Sequence, residues 1–143
     1  WKFMMNFTRD HSRTPMQWNT KPYAGFSTHQ PWLKVNSNYP HVNVEVADTT
    51  SHSLLRHYEK LIELRTTLKP LIYGDITFLN EHKNLLVFTR KHQDETLLIA
   101  INLDAKVHRI KTDLDGEILF SNYHEFSDDQ RILRPYEVQI IKK

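Results

Sequence analysis

Cysteine is absent from the 143 residues, so acid–base or nucleophilic chemistry here would fall to carboxylates, histidines and hydroxyls. Thiolate catalysis, thiolate metal sites and disulfides are excluded. A serine nucleophile would sit on a sharp turn such as G-x-S-x-G, and no such string occurs. The three glycines, Gly25, Gly74 and Gly116, are too scattered for a phosphate cradle or a dinucleotide fingerprint. Nine histidines raise the question of a metal. His52 and His57 are five residues apart, which on a helix turns them about 140° from one another. His11, His29 and His41 lie in an irregular region without ligand spacing, so no metal is expected. Asp94, Glu95, Asp104, Asp113, Asp115, Asp128 and Asp129 fall at predicted turns, where solvated carboxylates are ordinary. No complete catalytic constellation emerges, and no cofactor is expected. The Asn6-Phe7-Thr8 triplet fits a glycosylation pattern that often arises by chance.

The elements that would position these residues divide the chain by composition. Hydrophobic residues make up 39% and charged residues 25%, ordinary globular usage that argues against wholesale disorder. The net charge of +2 is too small to indicate nucleic acid binding. No run of 18 apolar residues exists, so no membrane-spanning helix is expected. Residues 1–50 hold four prolines and all three tryptophans, with no sustained period. Their aromatic residues need a surface to bury against, which predicts an ordered, irregular segment packed on a partner surface. Residues 51–68 carry the one strong helical signal. Leu54, Leu55, Tyr58, Leu61, Ile62 and Leu68 define an apolar face, residues 48–53 offer caps, and Pro70 is the expected stop. Residues 71–143 read as six strands at roughly ten-residue spacing: 72–78, 85–90, 97–103, 107–111, 117–121 and 137–143. The apolar run Leu97-Leu98-Ile99-Ala100-Ile101 predicts a central strand covered on both faces. An opening on Trp1 without a signal-peptide pattern predicts a piece of a longer protein. The lack of cysteine fits a cytoplasmic one.

One string stands apart, Arg9-Asp10-His11-Ser12-Arg13-Thr14-Pro15-Met16-Gln17-Trp18-Asn19. It resembles the R-D-[HN]-[AS]-R-T-P-M-Q-W-[DN] segment of the α-glucosidase branch of the α-amylase superfamily. That branch includes oligo-1,6-glucosidases, dextran glucosidases and trehalose-6-phosphate hydrolases. The resemblance continues through Ala24-Gly25-Phe26-Ser27-Thr28, Pro31-Trp32-Leu33, Val35-Asn36-Ser37-Asn38-Tyr39 (with Ser37 in place of a usual Pro) and Val42-Asn43-Val44. It resumes at Tyr58-Glu59-Lys60-Leu61-Ile62-Glu63-Leu64-Arg65 and closes on Leu133-Arg134-Pro135-Tyr136-Glu137.

The resemblance implies a mainly β fold. A C-terminal antiparallel β-sandwich of Greek-key type would be preceded by one α-helix and an irregular loop from the end of a (β/α)8 barrel. Residues 1–68 would close the barrel and residues 69–143 form the sandwich. It also implies retaining glycoside hydrolysis of short α-glucosides, α-1,6 slightly preferred, by an Asp nucleophile, a Glu acid/base and an Asp stabiliser. All three would come from upstream strands, so this chain would contain no catalytic residue and be inactive alone. Arg13 matches the arginine that binds the non-reducing-end glucose and pairs with an upstream Asp. Anchoring its own loop is the competing role for Arg13, and a local ion pair is the favoured one for Arg9 and Asp10. Trp18 and Trp32 are expected to pack loop to barrel rather than stack sugars. The implied partners are the α-glucoside, the missing N-terminal barrel and, for the first 50 residues, a second copy of the chain. The alternative is a stand-alone carbohydrate-binding or interaction β-module. It would need an aromatic platform among Tyr73, Phe78, Phe88, Phe120, Tyr123, Phe126 and Tyr136, most of which are expected in the core.

Overall fold

A computed structural model describes residues 12–79, 83–125, 129 and 131–143. The backbone falls into two units, residues 1–57 and 58–143.

In the first unit the chain is irregular but closely hydrogen bonded. A tight turn at Pro22–Gly25 is followed, after a long loop, by the short helix α1 (Val44–Thr49). Sequence periodicity does not predict α1, because Val44-Glu45-Val46 is rich in β-branched residues. Its ends explain it. Asn43 is buried and caps the helix, its Oδ1 accepting from Val46 N at 2.9 Å. The carbonyls of Gln17 and Trp18 accept from Val44 N and Glu45 N at 2.9 and 3.0 Å, satisfying first-turn donors that a helix cannot satisfy itself. Ser53 then opens helix α2 (Leu54–Thr67), its Oγ accepting from Arg56 N at 3.3 Å. His52 therefore lies before this helix, not on it.

In the second unit α2 ends at Thr67, and Leu68 is extended (ψ 114°). Pro70 sits inside a further short helix, α3 (Lys69–Tyr73), rather than stopping α2. A proline in the first turn loses nothing, since its missing N–H would have no intrahelical acceptor. Arg90 holds this helix from the sheet, donating from Nε to the Pro70 carbonyl at 3.0 Å and from NH2 to that of Leu71 at 3.2 Å. The predicted first strand at 72–78 consequently begins later, as β1 (Asp75–Leu79). It is followed by β2 (Leu85–His92), β3 (Glu95–Asn102), β4 (His108–Arg109), β5 (Glu117–Ser121), β6 (Ile132–Leu133) and β7 (Val138–Lys142).

The main sheet is antiparallel with order β1-β2-β3-β7-β5, and β4 pairs with β6 in a separate small sheet. β3 is central, as its apolar run predicts. Its alternation builds two cores. Leu98 and Ala100 join Leu85, Val87 and Ile141 against Ile110, Leu114 and Leu133 on the β4–β6 side. Leu97 and Ile99 join Phe120 and Ile140 against Leu64, with Leu61, Leu68 and Leu71 packed on. A bulge at Leu119 lets Ile118 pair with Ile141 and Phe120 with Ile140. Without that extra residue both side chains would share one face; with it each reaches a different core. The fold is mainly β, with the sheet covered by helix on one face and the β4–β6 pair on the other.

The apolar face of α2 is broader than its buried stripe. Leu64 is buried and Leu61 and Leu68 partly so, whereas Leu54, Tyr58 and Ile62 are exposed. Tyr73, Phe78 and Tyr136 are also exposed rather than in the core.

Candidate functional site

Most of the distinctive string has a structural use. Pro15 is buried. Gln17 donates from Nε2 to the Val42 carbonyl, in addition to its backbone contact with Val44. The backbone N–H groups of Trp18 and Asn19 both donate to the Ala24 carbonyl, at 2.9 and 3.2 Å. Asn19 Oδ1 accepts from Lys21 N at 3.0 Å, closing the turn from the other side. That turn places Tyr23, Ala24 and Gly25 consecutively at positive φ, of 56°, 58° and 67°. At Gly25 a Cβ would lie 2.4 Å from Asn19 Oδ1, so a side chain there would displace Asn19 from its bond to Lys21 N. Asn43 completes the stitching, its Nδ2 donating to the Tyr39 carbonyl at 2.7 Å. Residues 15–19, 22–25 and 39–46 thus form one hydrogen-bonded frame.

Arg13 is left over from this frame. It is exposed, and no hydrogen bond or ion pair engages it among the described residues. Arg9 and Asp10, the other charged members of the string, lie outside the described residues. So do His11 and the Asn6 triplet. Beside the frame, Tyr23, Gln30, Trp32 and Lys34 help line a shallow cavity of about 290 Å³. Trp32 is 99% exposed and Trp18 49%. No group of three His, Asp or Glu side chains suited to a metal occurs among the described residues.

The closing motif forms a second constellation, in the other unit. Glu137 is fully buried, and Arg134 grips it with Nε to Oε2 at 3.0 Å and NH2 to Oε1 at 2.8 Å. The Arg134 backbone N–H adds a bond to Oε2 at 2.7 Å, and Gln139 Nε2 one to Oε1 at 3.0 Å. Burial alone would raise the Glu137 pKa. The donated hydrogen bonds, foremost those of Arg134, outweigh it and hold the carboxyl below its ordinary value. The guanidinium also lies over the Tyr123 ring, 3.9 Å from its centroid, and Tyr123 donates to the Pro135 carbonyl at 2.9 Å. Pro135 and Tyr136 occupy the middle of a turn closed by Glu137 N to the Arg134 carbonyl at 3.1 Å, with Tyr136 at φ 56°. Both carboxylate oxygens of Glu137 are committed to partners within the fold, so the pair serves as a latch.

Residues 1–74 match the family model described as alpha amylase, catalytic domain, and residues 74–118 match that of the alpha-amylase C-terminal domain. The chain belongs to the α-amylase family. Among its relatives, the oligo-1,6-glucosidase of Bacillus cereus is 36% identical over 142 residues, covering 94% of this chain and 25% of its own. An α-glucosidase of Candida albicans is 36% identical over 92% of this chain and 24% of its own. Among solved structures, trehalose-6-phosphate hydrolase from Bacillus licheniformis matches with a TM-score of 0.81 at 32% identity, over 94% of this chain and 26% of its own. This α-amylase-family chain therefore spans about a quarter of the length of the relatives it matches. Among the described residues, no helix is long and apolar enough to cross a membrane.

Proposed function

We propose that this chain forms the C-terminal part of a retaining α-glucosidase that removes glucose from short α-glucosides, α-1,6 linkages slightly preferred. In that reading the aspartate nucleophile, the glutamate acid/base and the stabilising aspartate belong to catalytic-domain strands that the chain does not contain. The nucleophile attacks the anomeric carbon while the acid protonates the leaving oxygen, and water then releases the glucosyl group. This chain supplies Arg13. A planar, permanently charged fork can hold a carboxylate and a sugar hydroxyl at once. The observation that carries the reading is that Arg13 stays exposed and unengaged among the described residues while its neighbours in the motif build the frame. The names of the relatives, several of them oligo-1,6-glucosidases, support the α-1,6 preference.

A chimaera tests it, in which residues 12–143 replace the matching quarter of an oligo-1,6-glucosidase relative. Hydrolysis of isomaltose and of a nitrophenyl α-glucoside is the expected outcome. Arg13→Ala in the chimaera should lower kcat/KM roughly tenfold to a hundredfold, the worth of one or two charged hydrogen bonds, with little change in melting temperature. A folded chimaera with unchanged kinetics on Arg13→Ala would remove the pocket role.

A further inference from the structure

Gln17 is anchored through both its backbone and its side chain. Its carbonyl accepts from Val44 N at 2.9 Å, and its Nε2 donates to the Val42 carbonyl. The two bonds clamp the residues on either side of Asn43. Asn43 is a firm seat for them. It is buried, its Oδ1 accepts from Val46 N at 2.9 Å, and its Nδ2 donates to the Tyr39 carbonyl at 2.7 Å. The next N–H in the string, that of Trp18, is fixed to the Ala24 carbonyl at 2.9 Å. A shift of Gln17 along the 42–44 segment would break at least one of these bonds. Arg13 stands four residues before this clamp, and the chain between them is stiff. Pro15 is buried, and its ring locks φ near about −65°. That ring also disfavours the α region at Thr14 and holds it toward an extended conformation. A point fixed at Gln17 is in this way carried to the backbone of Arg13, whose own side chain engages none of the described residues.

A guanidinium that holds a carboxylate and a sugar hydroxyl at once tolerates little displacement, and a misplacement of about 1 Å can cost on the order of a hundredfold in rate. We infer that Gln17 is a positioning residue for Arg13. Through its side-chain bond to Val42 it fixes the root of the arginine, and with it the place of the guanidinium in the sugar pocket. The inference rests on the pocket role proposed for Arg13. It adds a residue whose effect on turnover passes through another side chain and not through contact with the sugar.

Amide nitrogen relaxation on the intact chain reads the restraint directly. The backbone of Arg13 should be ordered, with an order parameter of about 0.85. Gln17→Leu keeps most of the side-chain bulk, removes the donor, and should lower that value toward about 0.6. A mobile Arg13 backbone in the unaltered chain, or one that Gln17→Leu leaves unchanged, overturns the inference and leaves the pocket role of Arg13 standing. A double-mutant cycle in the chimaera reads the consequence. Gln17→Leu should lower kcat/KM for isomaltose roughly fivefold or more where Arg13 is present, and by less than about twofold in the Arg13→Ala background. Pro15→Ala loosens the tether while leaving the Gln17 bonds in place, and its loss should depend on Arg13 in the same way. Losses that are equal in the two backgrounds would make Gln17 a structural member of the frame alone and overturn the positioning role. Unchanged kinetics on Arg13→Ala would instead remove the pocket role, and the positioning role with it, even where relaxation shows the restraint.

Discussion

The arginines at 13 and 134 show how one residue type takes opposite tasks. Arg13 is exposed and engages no described residue, whereas Arg134 is committed to a buried carboxylate and an aromatic ring. Removing Arg134 would leave Glu137 charged and unpaired in the protein interior. Arg134→Ala should therefore cost about 3–5 kcal/mol in urea unfolding. The same latch sets a pH dependence. Because the Glu137 pKa is lowered on folding, its stabilisation is complete above the ordinary glutamate value of about 4.3 and is lost as pH falls below it. Asp104, bonded to His108 and Asn84, and Asp129, held by the Arg131 backbone and facing Arg109, are shifted the same way. Melting temperature should thus fall between about pH 5 and pH 3, and Glu137→Gln should flatten but not abolish that fall. Neither arginine could be read from spacing. Arg13 is visible only through the resemblance of its motif, and the structure is what separates it from Gln17 and Asn43, whose matches serve the frame.

At the scale of elements, legibility follows length. α2, β2, β3, β5 and β7 have enough residues for a period to show, and their predicted positions hold within a few residues. α1, α3 and β6 have six, five and two residues, too short for a period, and are set by contacts from elsewhere. Arg90 on α3 and the Gln17 and Trp18 carbonyls on α1 are tertiary partners that no local window contains. Periodicity overstated the buried face of α2, because an apolar face in sequence does not say how much of it the same unit covers. The Asp115-Gly116 turn was legible, and the structure supplies its reason. Gly116 has φ 144°, and a Cβ there would lie 2.4 Å from the Lys142 carbonyl, on the strand that β5 pairs with. Gly116→Ala should cost more than about 1 kcal/mol and loosen the β5–β7 pairing. Faster hydrogen exchange confined to those two strands would register it.

At the scale of the molecule, the two units differ in kind. The unit at 58–143 has two apolar cores about a sheet. In the unit at 1–57, the described residues 15–46 form a hydrogen-bonded frame on which Trp18, Tyr23, Phe26 and Trp32 are exposed. Residues 1–74 match the catalytic-domain family model, and the chain spans about a quarter of the length of its relatives. The most direct test of this account is a sensitive assay of nitrophenyl α-glucoside hydrolysis by the purified 143-residue chain. The account predicts a rate indistinguishable from buffer at any enzyme concentration. Turnover that scales with the amount of chain and persists through repurification would contradict it, because the catalytic carboxylates would then have to lie within these residues.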